Sequence, residues 1–142
     1  MNYQSIRAKI EAPLLTAYNT QIPPIPVYFD NVSAMPPSPP KEYVRVNVVF
    51  GLTTEAVLTR TLDHARGVLI VRCFAPKSNG PARCQEMIAL AKDVIDVLNA
   101  TGKAPNATFV RVGSINGPTF YASDDFPHFV GEIKAGWQAM AR

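Results

Sequence analysis

The spacing of hydrophobic positions predicts two helices. Residues 3–19 carry apolar side chains three and four positions apart, the pattern of an amphipathic helix, with Tyr3 and Tyr18 near its margins. The residues of this stripe are Ile6, Ile10, Leu14 and Ala17. Pro13 predicts a kink in this helix, or a break near Ala12, because proline cannot donate the backbone hydrogen bond of a helix interior.

The second predicted helix is the clearest element of the chain and extends from about Pro81 to Asn99. Pro81 suits the first helical turn, and Gly102 provides a C-terminal stop. One face carries the apolar residues Cys84, Met87, Ile88, Ala91, Val94, Ile95 and Leu98. We expect this face to pack across a sheet.

Alternating apolar and polar positions predict strands on both sides of that helix. Residues 42–50 alternate clearly and are closed by Gly51, while 66–76 is the most strongly apolar run and ends at Pro76. Residues 54–62 form a weaker β-branched run, and Asp63–Ala65 is expected to be a turn after it. The pattern therefore predicts a three-strand meander of 42–50, 54–62 and 66–75.

Further strand signals lie at the two ends of the chain. A short edge strand is expected at Val27–Phe29, followed by a turn at Asp30–Asn31. Near the C-terminus, Asn116-Gly117-Pro118 predicts a hairpin turn between strands 107–115 and 119–123, before a last strand at 126–140. The whole order predicts a single α+β domain over residues 1–142, with two helices packed on a mainly antiparallel sheet.

Four prolines within five residues separate the first two strand signals. Met35-Pro36-Pro37-Ser38-Pro39-Pro40 must leave regular structure, because proline cannot donate to a sheet ladder. A disordered linker, a proline-rich ligand motif and a stiff internal connection share this local pattern. No second domain is predicted for a linker to join, so we expect a stiff ordered connection that leads into strand 42–50.

Composition places the chain among ordinary globular proteins. It has 142 residues, of which 47% are hydrophobic and 18% charged, and no run approaches the length of a membrane span. Arg7, Lys9 and Glu11 interrupt the apolar residues near the N-terminus, so we expect no signal peptide, no membrane contact and a cytosolic product. The net charge of +3 comes from dispersed basic residues, which predict a solvated surface; DNA contact through assembly remains open.

Candidate chemistry is sparse. Cys73 and Cys84 are well separated with no His between them, so we expect two buried, inert thiols and neither a metal nor a cofactor. An enzyme would need Cys84 as nucleophile with His128 and an aspartate, but Cys84 falls on the apolar face of the predicted helix. Asn79-Gly80 lacks the glycines and the lysine of a phosphate-binding loop. The sequence therefore predicts a protein that is not an enzyme.

One ordered set of motifs is more specific. Phe29 and Asn31 precede the Pro36–Pro40 loop and the strand Tyr43–Val46, and Arg66-Gly67 begins a strand that passes Phe74, Pro76 and Gly80 into the long helix. In this order the first hundred or so residues resemble the tail-terminator-like proteins of long-tailed bacteriophages, also called tail completion proteins. The tryptophan often found in the aromatic element is missing here.

That resemblance implies a structural virion protein at the head-proximal end of the tail, assembled in the host cytoplasm. Such proteins form a ring, usually of six subunits, that stops polymerisation of the tail tube and joins the tail to the head-tail connector. The implied partners are further copies of the chain, the tail tube protein and the connector or neck protein. DNA would pass through the lumen of the ring without sequence-specific binding.

Loops and sheet edges are the expected contact regions of such a ring, because the core occupies the helices and central strands. The candidates lie in the proline loop, the 51–66 hairpin and the 116–125 loop: Met35, Pro36, Pro37, Pro39, Pro40, Arg60, His64, Arg66, Asp124 and Asp125. Another neck or tail-tube component is an alternative, and a small enzyme or nucleic-acid-binding module is a more distant one.

Overall fold

Five strands and two helices make up the described part of the chain. The computed structural model describes residues 3–30, 41–55, 63–77, 81–101, 109–122 and 128–141. In chain order the elements are α1 (Tyr3–Asn19), β1 (Val27–Tyr28), β2 (Tyr43–Glu55), β3 (Asp63–Pro76), α2 (Pro81–Thr101), β4 (Phe109–Ala122) and β5 (His128–Ala141). They form one sheet in the order β1-β2-β3-β5-β4, antiparallel except for the β1–β2 pair. The predicted α+β class is confirmed.

Both helices pack on the same face of the sheet. Alternate strand residues, among them Val46, Val71 and Ile133, form one buried cluster with the apolar sides of the two helices. The helical members of that cluster are Ile6, Ile10, Leu14, Tyr18, Met87, Ile88, Ala91 and Ile95. At the helix–helix contact the Tyr18 hydroxyl donates to the Met87 carbonyl oxygen at 2.7 Å. The two helices therefore share one core, and no helix of the described ranges lies on the opposite face of the sheet.

The centre of this core depends on a glycine. Trp137 is almost fully buried, and its indole ring lies over Gly67 on the neighbouring strand. A Cβ atom at Gly67 would stand 2.6 Å from the indole and 1.9 Å from the Val49 carbonyl oxygen. Because neither neighbour can be that close to a carbon atom, this position requires glycine.

Helix α1 continues through Pro13 without a break, so the break predicted near Ala12 does not occur. Tyr18 is fully buried whereas Ala17 is half-buried, so Tyr18 belongs to the apolar stripe and not to its margin. The large buried side chains of the stripe supply packing free energy that offsets the hydrogen bond lost at proline. The second predicted helix and its buried face are confirmed, and it extends to Thr101.

The three-strand meander is wrong. Gly51 does not close a strand: β2 runs on to Glu55, with a register shift at Gly51 between Phe50 and Leu52. Asp63–Ala65 pairs with both β2 and β5 and is part of β3, not a turn. A glycine in a strand can mark a bulge as well as an end, which explains the error. Residues 56–62 of the predicted middle strand lie outside the described ranges.

The hairpin turn at Asn116–Pro118 is also wrong. Strand β4 is continuous, and residues on both sides of Gly117 pair with β5. Gly117 has a φ of +105°, and the register shifts between Asn116 and Thr119. The Asn-Gly pair therefore builds an irregularity within an edge strand, where the same positive φ is needed as in a turn.

The edge strand after α1 is confirmed as Val27–Tyr28, which pairs in parallel with Val44 and Arg45. The last predicted strand is confirmed as β5. The proline segment and Gly102 lie outside the described residues, so the stiff connection stays a prediction.

Substitution of Gly67 by alanine should destabilise the fold. The added methyl group forces the Trp137 indole and β2 apart, and overpacking of this kind costs about 3 kcal/mol. Urea unfolding followed by tryptophan fluorescence measures the change. Gly136→Ala is the matched control, since a Cβ atom there meets only the Gly67 carbonyl oxygen at 3.9 Å. Equal stability of the two variants would contradict this description of the core.

Candidate interaction surface

The face of the sheet opposite the helices, called the open face below, carries the side chains that alternate with the core residues. Across the strands these include Arg45, Asn47, Val49, Leu52, Arg66, Val68, Ile70, Arg72, Arg111, Tyr121, Glu132, Lys134, Gln138 and Met140. Only one end is buried, where Tyr43 and Phe74 stack at 4.3 Å between ring centroids beside Val130. Further along the described strands, the exposed side chains of this face include Val49, Leu52, Arg66, Val68, Arg111 and Met140.

A carboxylate closes the edge of the sheet at the point where β1 stops. Asp30 accepts a hydrogen bond from the backbone N–H of Val48 at 3.0 Å and from the Asn47 amide at 2.6 Å. The same carboxylate accepts from Arg7 at 2.5 Å, and the Arg7 guanidinium also donates to the Val48 carbonyl oxygen at 3.2 Å. Side chains thus take the place of a longer edge strand and connect α1 to β2.

Polar contacts continue from this edge across the open face. The Arg72 guanidinium donates to the Asn47 side chain at 3.4 Å and to Glu132 at 3.0 Å. Tyr121 on β4 donates to Glu132 at 3.2 Å, and Lys134 lies 3.4 Å from the same carboxylate. We call Arg7, Asp30, Asn47, Arg72 and Glu132 the cross-sheet network.

The electrostatics of the cross-sheet network favour ionised carboxylates. Burial alone would raise the pKa of Asp30, but hydrogen bonds from Arg7, Asn47 and the Val48 N–H outweigh it and hold the pKa below its ordinary value. Burial likewise opposes ionisation of Glu132, but Arg72, Lys134 and Tyr121 together outweigh it, so the pKa of Glu132 is also lowered. At Glu11, the other carboxylate beside Arg7, burial dominates and raises the pKa.

Beside the cross-sheet network, further along β2, β3 and β5, the open face exposes large apolar side chains. Val49, Leu52, Val68 and Met140 are 47%, 54%, 40% and 40% exposed, and we call these four side chains the apolar patch. Val49 lies opposite Val68, Leu52 opposite Arg66 and Met140 opposite His64, so polar side chains stand among them. Gly136 lies between Val68 and the β4 edge and adds no side chain. Apolar side chains grouped on one surface mark contact sites more often than isolated ones do.

Positive charge lies among and around the residues of the apolar patch. The open face carries five cationic side chains: Arg45, Arg66, Arg72, Arg111 and Lys134. Among the described residues it carries one carboxylate, that of Glu132. Within those residues no carboxylate lies within ion-pair distance of Arg45, Arg66 or Arg111. Exposed apolar side chains with arginines among them are typical of a protein contact surface, and the positive charge fits an acidic partner.

Two candidate residues from the sequence fall on the open face. His64 and Arg66 alternate with core positions of β3, and the His64 ring lies 3.2 Å from the Gln138 side chain. The other candidates lie outside the described ranges: Met35, Pro36, Pro37, Pro39, Pro40, Arg60, Asp124 and Asp125. Residues 116–122, expected to belong to a loop, are part of β4.

The cysteines are both buried and free, as expected. Burial raises the pKa of Cys73 to about 12; the hydrogen bond with Tyr18 lowers this pKa, and the nearby Cys84 raises it. The Cys84 thiol donates to the Phe129 carbonyl oxygen at 3.2 Å, and burial raises its pKa. His128 is buried with its ring 2.9 Å from the Lys41 carbonyl oxygen. These contacts do not support a Cys84–His128 nucleophile pair.

A groove of about 710 Å³ lies between α2 and β4. Most of its charged and amide side chains already form ion pairs or hydrogen bonds within the protein. Lys92 binds Asp96 at 2.6 Å, and the Asn99 side chain bonds both the N–H and the carbonyl oxygen of Val112. The groove therefore offers mainly apolar surface and few free polar groups.

Neither described helix has an 18-residue stretch apolar enough to cross a bilayer. No group of His, Cys, Asp or Glu side chains that could bind a metal ion occurs in the described residues.

No protein-family model and no curated protein matches the chain. A solved structure of a protein that carries only a serial designation is similar to it, with a TM-score of 0.70 and 24% sequence identity. The similarity covers 98% of this chain and 96% of that one. At this identity the comparison shows a shared fold and nothing about activity.

Asp30→Asn should lower the free energy of unfolding by about 2 kcal/mol at pH 7, because a charge-assisted hydrogen-bond set is lost. The folded-state pKa of Asp30 is lowered, so its contribution is complete above its ordinary pKa of 3.8 and disappears as the pH falls through the folded value. Urea unfolding of wild type and variant between pH 7 and pH 2 should show the difference shrink in acid. Asp93→Asn, on the exposed side of α2, is the control and should change stability by less than about 0.5 kcal/mol. A difference that grows in acid would contradict the assignment.

Proposed function

We propose that this chain is a structural protein of a bacteriophage tail, of the tail-terminator type, that assembles into a ring. The ring caps the tail tube, prevents addition of further tube subunits and presents a surface to the head-tail connector. Its partners are further copies of itself, the tube protein and the connector or neck protein, and its place is at the head-proximal end of the tail in the virion.

The observation that carries this proposal is the open face. One side of the sheet exposes the apolar patch and its surrounding arginines, although both helices bury the other side. A surface of this composition loses apolar contact with water when a protein covers it. Assembly therefore explains the patch, whereas the contacts of Cys84 and His128 do not favour the enzyme alternative.

The resemblance of the first hundred residues adds support. The strand that begins at Tyr43 is β2, and the strand that passes Arg66 and Gly67 is β3, next to it in the sheet. β3 leads into α2, as the resemblance implies. The motif order thus lies in paired strands and the following helix, where a fold-determining signal is expected.

Ring formation and capping need surfaces that differ from one another. A contact between two different surfaces of identical subunits, repeated about an axis, closes into a ring when the rotation allows it. The two ends of such a ring are unlike, so one end can match the tube while the other cannot accept a further tube ring. DNA would pass through the lumen.

The excess of positive charge on the open face favours a second candidate, a nucleic-acid-binding module. Arginines and a lysine on one surface can neutralise phosphates, and binding would then weaken steeply with salt. The apolar patch between these cations argues against it, because exposed valine and leucine side chains gain little from a phosphate backbone.

Light scattering coupled to size exclusion tests assembly directly. We expect a discrete species of roughly six times the 15.5 kDa chain mass, alone at high concentration or when mixed with tube protein from the same genome. Tubes polymerised in the presence of the chain should be shorter and carry it at one end in electron micrographs. A monomer that leaves tube length unchanged and binds duplex DNA would overturn the proposal.

A further inference from the structure

We propose that the open face of one copy binds the outer face of α2 of the next copy. This inference rests on the proposed ring and names the two surfaces that build it. The outer face of α2 is the side turned away from the core, and it includes Glu86, Ala89, Asp93, Val97 and Ala100.

The outer face of α2 is shaped for a flat partner. Ala89 and Ala100 are exposed and small, so a neighbouring backbone can approach closely. Val97 between them is 62% exposed, more than any residue of the apolar patch. A helix surface of this kind suits a sheet face that exposes apolar side chains.

Charge is complementary between the two surfaces. Asp93 lies in the middle of the outer face of α2, and no cation lies within ion-pair distance of it among the described residues. Arg66 and Arg111 are likewise exposed without a carboxylate at that distance in the described part of the chain. Bringing Asp93 to these arginines gives the charges partners that the described residues of their own subunit do not supply.

The spacings of the two surfaces also agree. Asp93 and Val97 are one helical turn apart, about 6 Å along the α2 axis. Arg66 and Val68 are next neighbours on the open face of β3, about 7 Å apart along the strand. A helix aligned with β3 can therefore place Asp93 at Arg66 and Val97 at Val68 together.

The same charges disfavour pairing of two open faces. The face carries five cations and one carboxylate among the described residues, so two copies in face-to-face contact would repel each other. A contact between the open face and α2 joins unlike surfaces, so each copy retains one free surface of each kind until the ring closes.

Variants that reverse the charge of one surface, and of both surfaces together, test this contact. We expect Arg66→Glu and Asp93→Arg each to weaken self-association at least about tenfold, as loss of a close interfacial charge pair does, and the double variant to recover most of the loss. Sedimentation velocity across a concentration series, in low and moderate salt, measures the association. Asn19→Glu and Asn19→Arg, at the exposed end of α1, introduce the same residues away from both surfaces and should leave association unchanged. Thermal unfolding of each variant checks that the fold is retained.

The outcomes separate this contact from the ring itself. If wild type assembles and both single variants assemble equally well, the ring stands but its interface lies elsewhere. If Arg66→Glu instead abolishes binding of a fluorescent DNA duplex and leaves association intact, a nucleic acid occupies the open face and the inference is wrong. A wild type that stays monomeric at millimolar concentration and with tube protein contradicts both proposals.

Discussion

Placement of both helices on one face of the sheet is the constraint on which the rest of this structure depends. Tyr18 and Met87 join the two helices over a core that includes Trp137, and neither helix of the described residues covers the other side. A sheet face without a covering layer is stable in water only if its side chains are polar or a partner covers it. Here the face is mixed: a hydrogen-bonded network crosses it, and an apolar patch lies beside that network.

The cross-sheet network and the apolar patch have different consequences. Asp30 closes the β2 edge that the short β1 leaves open, and Arg72 with Glu132 extends the polar contacts over the neighbouring strands. The cross-sheet network forms its hydrogen bonds within the subunit and stabilises the sheet. The apolar patch exposes Val68 and Met140, near arginines that have no carboxylate at ion-pair distance in the described ranges, so its free energy falls when a partner removes it from water. The fold thus separates a self-sufficient region from one that gains by association.

Sequence patterns predicted the helices and the α+β class because their periodicity records local burial. They failed where a glycine can serve two purposes: Gly51 and Gly117 looked like strand ends but produce irregularities inside long strands. Most of the interaction surface could not be predicted, since it depends on register. Arg66 and Arg111 share a surface only because Gln138 pairs with both, and nothing local to either arginine signals that pairing. Asp30 resembled a turn residue, and its contacts with Arg7 and Val48 span distant parts of the chain.

The central claim is that the apolar patch is covered in the assembled state. Hydroxyl-radical footprinting of the chain below and above its association concentration measures this for individual side chains. We expect Met140, Leu52 and Val68 to become protected on assembly, while Leu15 on the exposed side of α1 stays labelled. Undiminished labelling of Met140 and Val68 in assembled particles would show that the open face remains in water and would contradict the claim.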